Sequence, residues 1–292
     1  MTSIMCARAL VRDLFDNPVA GARLMSQGLT GLGVLACIST PLGGFLTDLF
    51  GWRVALTFLA IVSSTLLFLL FFWLEETLKY PNPNALKPAN FLKTWRSILR
   101  NYTFWSFSLL QAGTYAGLFI FLISSSFLFI RILNISPTVY GLLMFSMSAS
   151  FIVGTLICRR LLLRFSIPQT VAIGGSISLI GGTLLIFITV LEIPGLMAIM
   201  IPVYLFILAH GINQPCSQSG VMGPFPRAAG AASAWSSFIM VVITFGVGYL
   251  MGLFMGDSIY PMALGIWFCS IFIALVTWLV VPHAACRSVD LN

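Results

Sequence analysis

The chain has 292 residues, 59% of them hydrophobic and only 8% charged, with a net charge of +7. Soluble domains carry about 25% charged residues, so this composition excludes an ordinary water-soluble globule. With a mean hydropathy of +1.02 it describes an all-α polytopic membrane protein.

The amino-terminal stretch MTSIMCARALVRDLF is too short to cross a bilayer, which takes about 20 apolar residues. It reads as the last turns of a helix whose beginning is absent, followed by a turn at Phe15–Pro18. The first complete span is expected at Ala22–Thr47, rich in the small residues Gly28, Gly31, Gly33, Ala36, Ser39, Gly43 and Gly44, which let helices approach closely in lipid. Pro41, with Gly43 and Gly44 behind it, is expected to bend that helix. After a turn at Asp48–Arg53, Val54–Leu74 is a uniformly apolar second span.

Glu75–Asn101 is the one long polar segment. Pro81, Pro83 and Pro88 keep its first half from continuing a helix. Phe91–Leu99 then alternates apolar and basic residues at helical spacing, as a helix lying on an anionic membrane surface does. Six further spans follow, near Tyr102–Ile130, Val139–Cys158, Thr170–Leu191, Gly195–Cys216, Gly230–Phe254 and Ile259–Val281. The division is therefore residues 1–74 (end of one helix and two spans), 75–101 (inter-bundle loop), 102–282 (six-helix bundle) and 283–292 (tail).

Basic residues set orientation in membrane proteins. With the central loop inside, its five cations join Arg8, Arg12, Arg23, Arg159, Arg160, Arg164, Arg227 and Arg287 there. That makes 13 of the 15 basic residues inside, leaving Arg53 and Arg131 outside. The positive charge is thus a topology signal and not a nucleic-acid footprint. Pro18-Val-Ala-Gly-Ala and Pro226-Arg-Ala-Ala-Gly-Ala-Ala open spans six apart, a faint echo of the parallel repeat of facilitator transporters.

Several blocks carry a family resemblance. ARALVRDLF at Ala7–Phe15, ARLMS at Ala22–Ser26, PLGGFL followed by GWR within Pro41–Arg53, LEETL at Leu74–Leu78 and PFPRAAGAASA at Pro224–Ala234 resemble the Bcr/CflA (bicyclomycin-resistance-like) drug:proton antiporters of the major facilitator superfamily. The resemblance implies helices five to twelve of a twelve-helix fold, with the end of helix four ahead of them. It implies alternating access, exchange of protons for a small lipophilic drug-like substrate, a multi-pass protein of the bacterial inner membrane, a monomer, and no cofactor or metal. Two positions depart from the family pattern: Thr40 stands where the antiporter motif has proline, and Leu163 where the second loop motif has aspartate.

All eight acidic residues fall at loops or span ends, so no carboxylate is placed to carry a proton mid-membrane. His210 is the exception among ionisable groups. It precedes Gly211-Ile-Asn213-Gln214-Pro215, where Gly211 and Pro215 permit a broken helix of the kind that marks transporter sites. His210, Asn213 and Gln214, together with Gln111, Thr114 and Tyr115, are the candidate substrate-cavity residues. Interhelical hydrogen bonding is the other reading for all six. Phe119, Phe121, Phe127 and Phe129 suit an aromatic pocket or simple packing. Arg8, Arg12 and Asp13 are a candidate cytoplasmic charge cluster, alternatively a topology signal.

The cysteines at 6, 37, 158, 216, 269 and 286 show no metal spacing and read as small buried hydrophobes. No HExxH, phosphate loop or dinucleotide turn is present, so an enzyme is not expected. The competing expectation is a chain that transports nothing by itself, a fragment or membrane scaffold.

Overall fold

A computed structural model describes residues 10–11, 18–73, 88–132, 135, 137–192, 195–254 and 258–282. Arg8, Arg12 and Asp13 and the tail after Pro282 lie outside the described residues. The described chain is a succession of helices without strands. These are α1 (Pro18–Phe50), α2 (Trp52–Trp73), α3 (Pro88–Arg100), α4 (Tyr102–Ser126), α5 (Pro137–Leu161), α6 (Ile167–Val190), α7 (Leu196–Met222), α8 (Ala229–Phe254) and α9 (Tyr260–Leu275). α4 widens into a π-helical turn at Phe127–Ile132, and α9 into another at Val276–Val280.

The termini follow local chemistry. Gly51, with φ of +83°, takes the left-handed conformation that glycine adopts at little cost and separates α1 from α2. Asn101 caps α4, its Oδ1 accepting from the Phe104 backbone N–H at 3.0 Å. Ser166 and Gln169 form a capping box ahead of α6. Pro88 and Pro137 are first residues of their helices, where a missing N–H costs nothing.

Among the described residues, seven helices are long and apolar enough to cross a membrane: α2 and α4 to α9. The eighth expected span corresponds to α1, 33 residues long. It runs as helix through Pro41, Gly43 and Gly44, whose surroundings lie outside the described residues.

The core sits around α7, in which every residue from Ala209 to Met222 is buried. α4, α5 and α6 pack on it, and α9 packs on α4 and α6. Glycines make these approaches possible. A Cβ on Gly211 would stand 2.6 Å from the Phe151 backbone carbonyl of α5, and one on Gly154 would collide with the Leu208 backbone of α7. The helix interruption expected at Gly211 and Pro215 is not seen: α7 is continuous from Leu196 to Met222, with Pro202 and Pro215 inside it. Pro215 withholds one backbone bond, but packing on every side keeps the helix intact. α7 also runs a turn and a half beyond the expected end at Cys216. Its polar continuation is buried, Ser219 lying beside Gly21 of α1 and Gly220 against the Phe107 ring of α4.

α1 leans on α5 and α7. Ser26 Oγ donates to the Thr155 carbonyl at 2.6 Å, and Thr30 shares a hydrogen with Thr155 Oγ1 at 2.7 Å. Arg23 donates through Nε to the Leu162 carbonyl at 3.2 Å and also through Nη2. That carbonyl lies just past the end of α5, where the helix leaves acceptors unpaired and favours a cation. Leu163, at the position where an aspartate was expected, is exposed, and the arginine is held by backbone instead. α2, by contrast, has no buried residue.

Candidate functional site

Polar side chains in a membrane interior are costly unless partnered, so their placement locates the candidate site. Gln111 and Thr114 are each 1% exposed and His210 4%. Gln111 Oε1 accepts from Ser236 Oγ of α8 at 2.7 Å, and its Nε2 lies 3.5 Å from Met240 Sδ. Thr114 Oγ1 donates to the Gln111 carbonyl one turn back at 3.1 Å, a bond that spends the hydroxyl within its own helix.

His210 faces α4 and α5. Its ring lies 6.3 Å from that of Tyr115 and 5.7 Å from that of Phe151. Its Nδ1 is buried and has no partner among the described residues. The structure thus joins Gln111, Thr114, Tyr115 and His210 into one cluster between α4, α7 and α8.

Asn213 and Gln214 point elsewhere. Asn213 is fully buried against Gly174 of α6, and neither atom of its amide has a partner among the described residues. Gln214 Oε1 accepts from Gln218 Nε2 one turn on, at 3.4 Å. The six candidates therefore divide between two sides of α7. Phe121 and Phe129 are buried edge-on against each other, with centroids 6.3 Å apart; this pair packs the core and lines no open pocket.

Sequence reasoning missed Ser236 and Met240, which complete the surroundings of Gln111. A signal was present: Ser233, Ser236, Ser237, Met240 and Thr244 recur at helical spacing and form the buried stripe of α8. It also treated Cys158 and Cys216 as separate, whereas their sulfurs meet at 3.6 Å across the α5–α7 crossing. Among the described residues no three His, Cys, Asp or Glu side chains gather as a metal site would require.

The chain is similar to a "Bicyclomycin resistance protein homolog" of Haemophilus influenzae, 24% identical over 255 residues, covering 85% of this chain and 61% of that protein. It is similar to the "Uncharacterized MFS-type transporter YdgK" of Bacillus subtilis, 23% identical over 264 residues, 86% of this chain and 62% of that one. An "Uncharacterized transporter" of Rickettsia bellii matches at 24% over 237 residues, 78% of this chain and 58% of its own length. The chain thus spans about three fifths of the length of these relatives, which are named as transporters or a resistance protein and not as enzymes. The family model of the Major Facilitator Superfamily matches residues 3–247, and on that match the chain belongs to the Major Facilitator Superfamily.

Proposed function

We propose that the chain is the greater part of a proton-coupled efflux transporter for small lipophilic drug-like molecules, working by alternating access in a bacterial inner membrane. Residues 102–282 form one bundle of that transporter, residues 1–74 contribute to the other, and residues 75–101 link them on the cytoplasmic side. The observation that carries the reading is the cluster of Gln111, Thr114, Tyr115 and His210. Gln111, Thr114 and His210 are buried within apolar spans, and His210 Nδ1 has no partner among the described residues. A buried histidine nitrogen left open offers an acceptor to a substrate or a proton. The rings of Tyr115 and Phe151 beside it offer the aromatic faces that lipophilic cations favour. The name of the Haemophilus relative supports drug export as the direction of transport.

The test is accumulation of a fluorescent lipophilic cation in cells expressing residues 1–292, with and without a three- to four-helix segment fused ahead of Met1. Lowered accumulation by the fused protein, abolished by a protonophore and weakened by His210→Ala at unchanged expression, is the expected result. Accumulation at the empty-vector level for both proteins would overturn the reading.

A second reading has one observation in its favour. α2 buries none of its residues, which fits a chain that does not transport when expressed by itself.

A further inference from the structure

The amphipathic helix α3 has two unlike faces. Lys93, Arg96 and Arg100 follow one another at three- and four-residue spacing, lie on one side of the helix and are all exposed. α3 contains no acidic residue to neutralise them. The other side is anchored: Ile98 is fully buried, and the Trp95 indole meets Trp235 of α8 edge-on at 4.9 Å. Trp105, in the first turn of α4, donates its Nε1–H to the Leu99 carbonyl at 2.7 Å and fixes the end of α3 against α4. Leu92 is 63% exposed at the boundary between the two faces.

A lone exposed leucine is ordinary on an aqueous surface, but beside three cations it matches the make-up of an interfacial helix. It is well placed at the depth where acyl chains meet headgroups. The surrounding tryptophans independently mark that depth, since indoles concentrate at membrane–water boundaries. Phe238 is exposed and meets Trp235 edge-on at 5.7 Å, and Trp105 is exposed in the first turn of α4. We infer that α3 is a docking surface for anionic phospholipid headgroups: Lys93, Arg96 and Arg100 hold the phosphates while Leu92 and Trp105 enter the boundary below them. Each such cation contributes an attraction to an anionic leaflet that falls off within a Debye length. Because Trp95 rests on Trp235, next to Ser236 in α8, headgroups held by α3 bear on the helix that supplies a partner to Gln111.

The experiment uses the purified 292-residue chain in phosphatidylcholine nanodiscs, with Trp52, Trp73, Trp267 and Trp278 replaced by Phe so that emission comes from Trp95, Trp105 and Trp235. Brominated phosphatidylglycerol is titrated against brominated phosphatidylcholine as quencher. Preferential quenching by phosphatidylglycerol is expected, weakened at about 0.5 M salt, where the Debye length is a few ångströms. Lys93→Gln/Arg96→Gln/Arg100→Gln is expected to lower the preference by about fivefold per cation removed at low salt. Arg53→Gln is expected to leave it unchanged. Inorganic phosphate should compete no better than sodium chloride of equal ionic strength. An undiminished preference in the triple variant overturns the proposal. So does displacement by phosphate beyond the salt effect, which would indicate a pocket for a free anion. If the triple variant loses its helix content, the single variants Lys93→Gln and Arg100→Gln are read in the same way.

Discussion

Ser236 of α8 donates its hydroxyl hydrogen to Oε1 of Gln111 of α4 at 2.7 Å, and neither side chain is more than 1% exposed. Removing the donor leaves a buried carbonyl whose only remaining relief is solvent it cannot reach. In water-soluble proteins such an orphan costs about 1–3 kcal/mol. Between membrane helices the measured couplings are smaller, averaging about 0.6 kcal/mol, because the separated helices find other partners. Ser236→Ala is therefore expected to destabilise the bundle by about 0.5–2 kcal/mol. Gln111→Leu/Ser236→Ala is expected to cost less than the sum of the single changes. A double-mutant cycle on detergent unfolding checks this, and strict additivity would show that the bond contributes nothing.

The α5–α7 crossing gives a sharper contrast. At Gly211 an added Cβ meets the Phe151 carbonyl, and at Gly154 it meets the Leu208 backbone. Backbone cannot rotate aside as a side chain can, so the helices must part. Gly154→Ala and Gly211→Ala are expected to cost about 1–3 kcal/mol each, the usual range for overpacking. Gly28, with nothing within 4 Å of an added Cβ, shows the opposite case. There Gly28→Ala should be neutral or stabilising by up to about 1 kcal/mol through helix propensity. Thermal unfolding of the three variants side by side decides it; equal losses at all three would mean the close approach is not energetically real.

Helix positions were legible because membrane spans announce themselves by length and apolarity. Gly51 and Asn101 are ordinary breaking and capping residues that mark their boundaries in the sequence. The end of α7 was not legible. Ser217–Gly220 is polar enough to resemble a loop, yet it is buried by α1 and α4, a fact of tertiary packing with no local signal. The candidate site was half legible for the same reason. His210 and Gln111 stand out as polar residues in apolar runs. Which of their neighbours share a face depends on how α7 is rotated, and only packing against Gly174 shows that Asn213 turns to α6.

Lys93 offers a direct check on orientation. With α3 on the cytoplasmic side, as the thirteen-to-two division of basic residues implies, Lys93→Cys in a background lacking the native cysteines should react with a membrane-impermeant maleimide only in inverted vesicles. Ser258→Cys, exposed just before α9, should react from the outside of intact cells. Labelling of Lys93→Cys in intact cells would reverse the assignment.

The last expectation concerns what residues 1–292 can do when expressed alone. α4 to α9 enclose a continuous core, with Phe104, Phe121, Phe129 and Phe206 fully buried. α2 touches α1 and buries none of its residues, and Gly28 and Gly31 of α1 meet nothing within 4 Å. A small-residue helix face in lipid forgoes the close packing that drives helix association there, and a helix without partners opens at little cost in free energy. An alternating-access cavity needs two rigid bodies to rock against one another, and only the α4–α9 body has a core of its own. Hydrogen exchange of the detergent-solubilised chain should therefore show strong protection from about Tyr102 onward, and weak protection in Trp52–Trp73. Cells expressing the chain alone should retain a fluorescent drug at the empty-vector level. If those cells instead exported the drug, α1 and α2 would have to form a working half-cavity unaided. The exposed faces of Gly28, Gly31 and α2 would then be lipid-facing surfaces of a compact transporter.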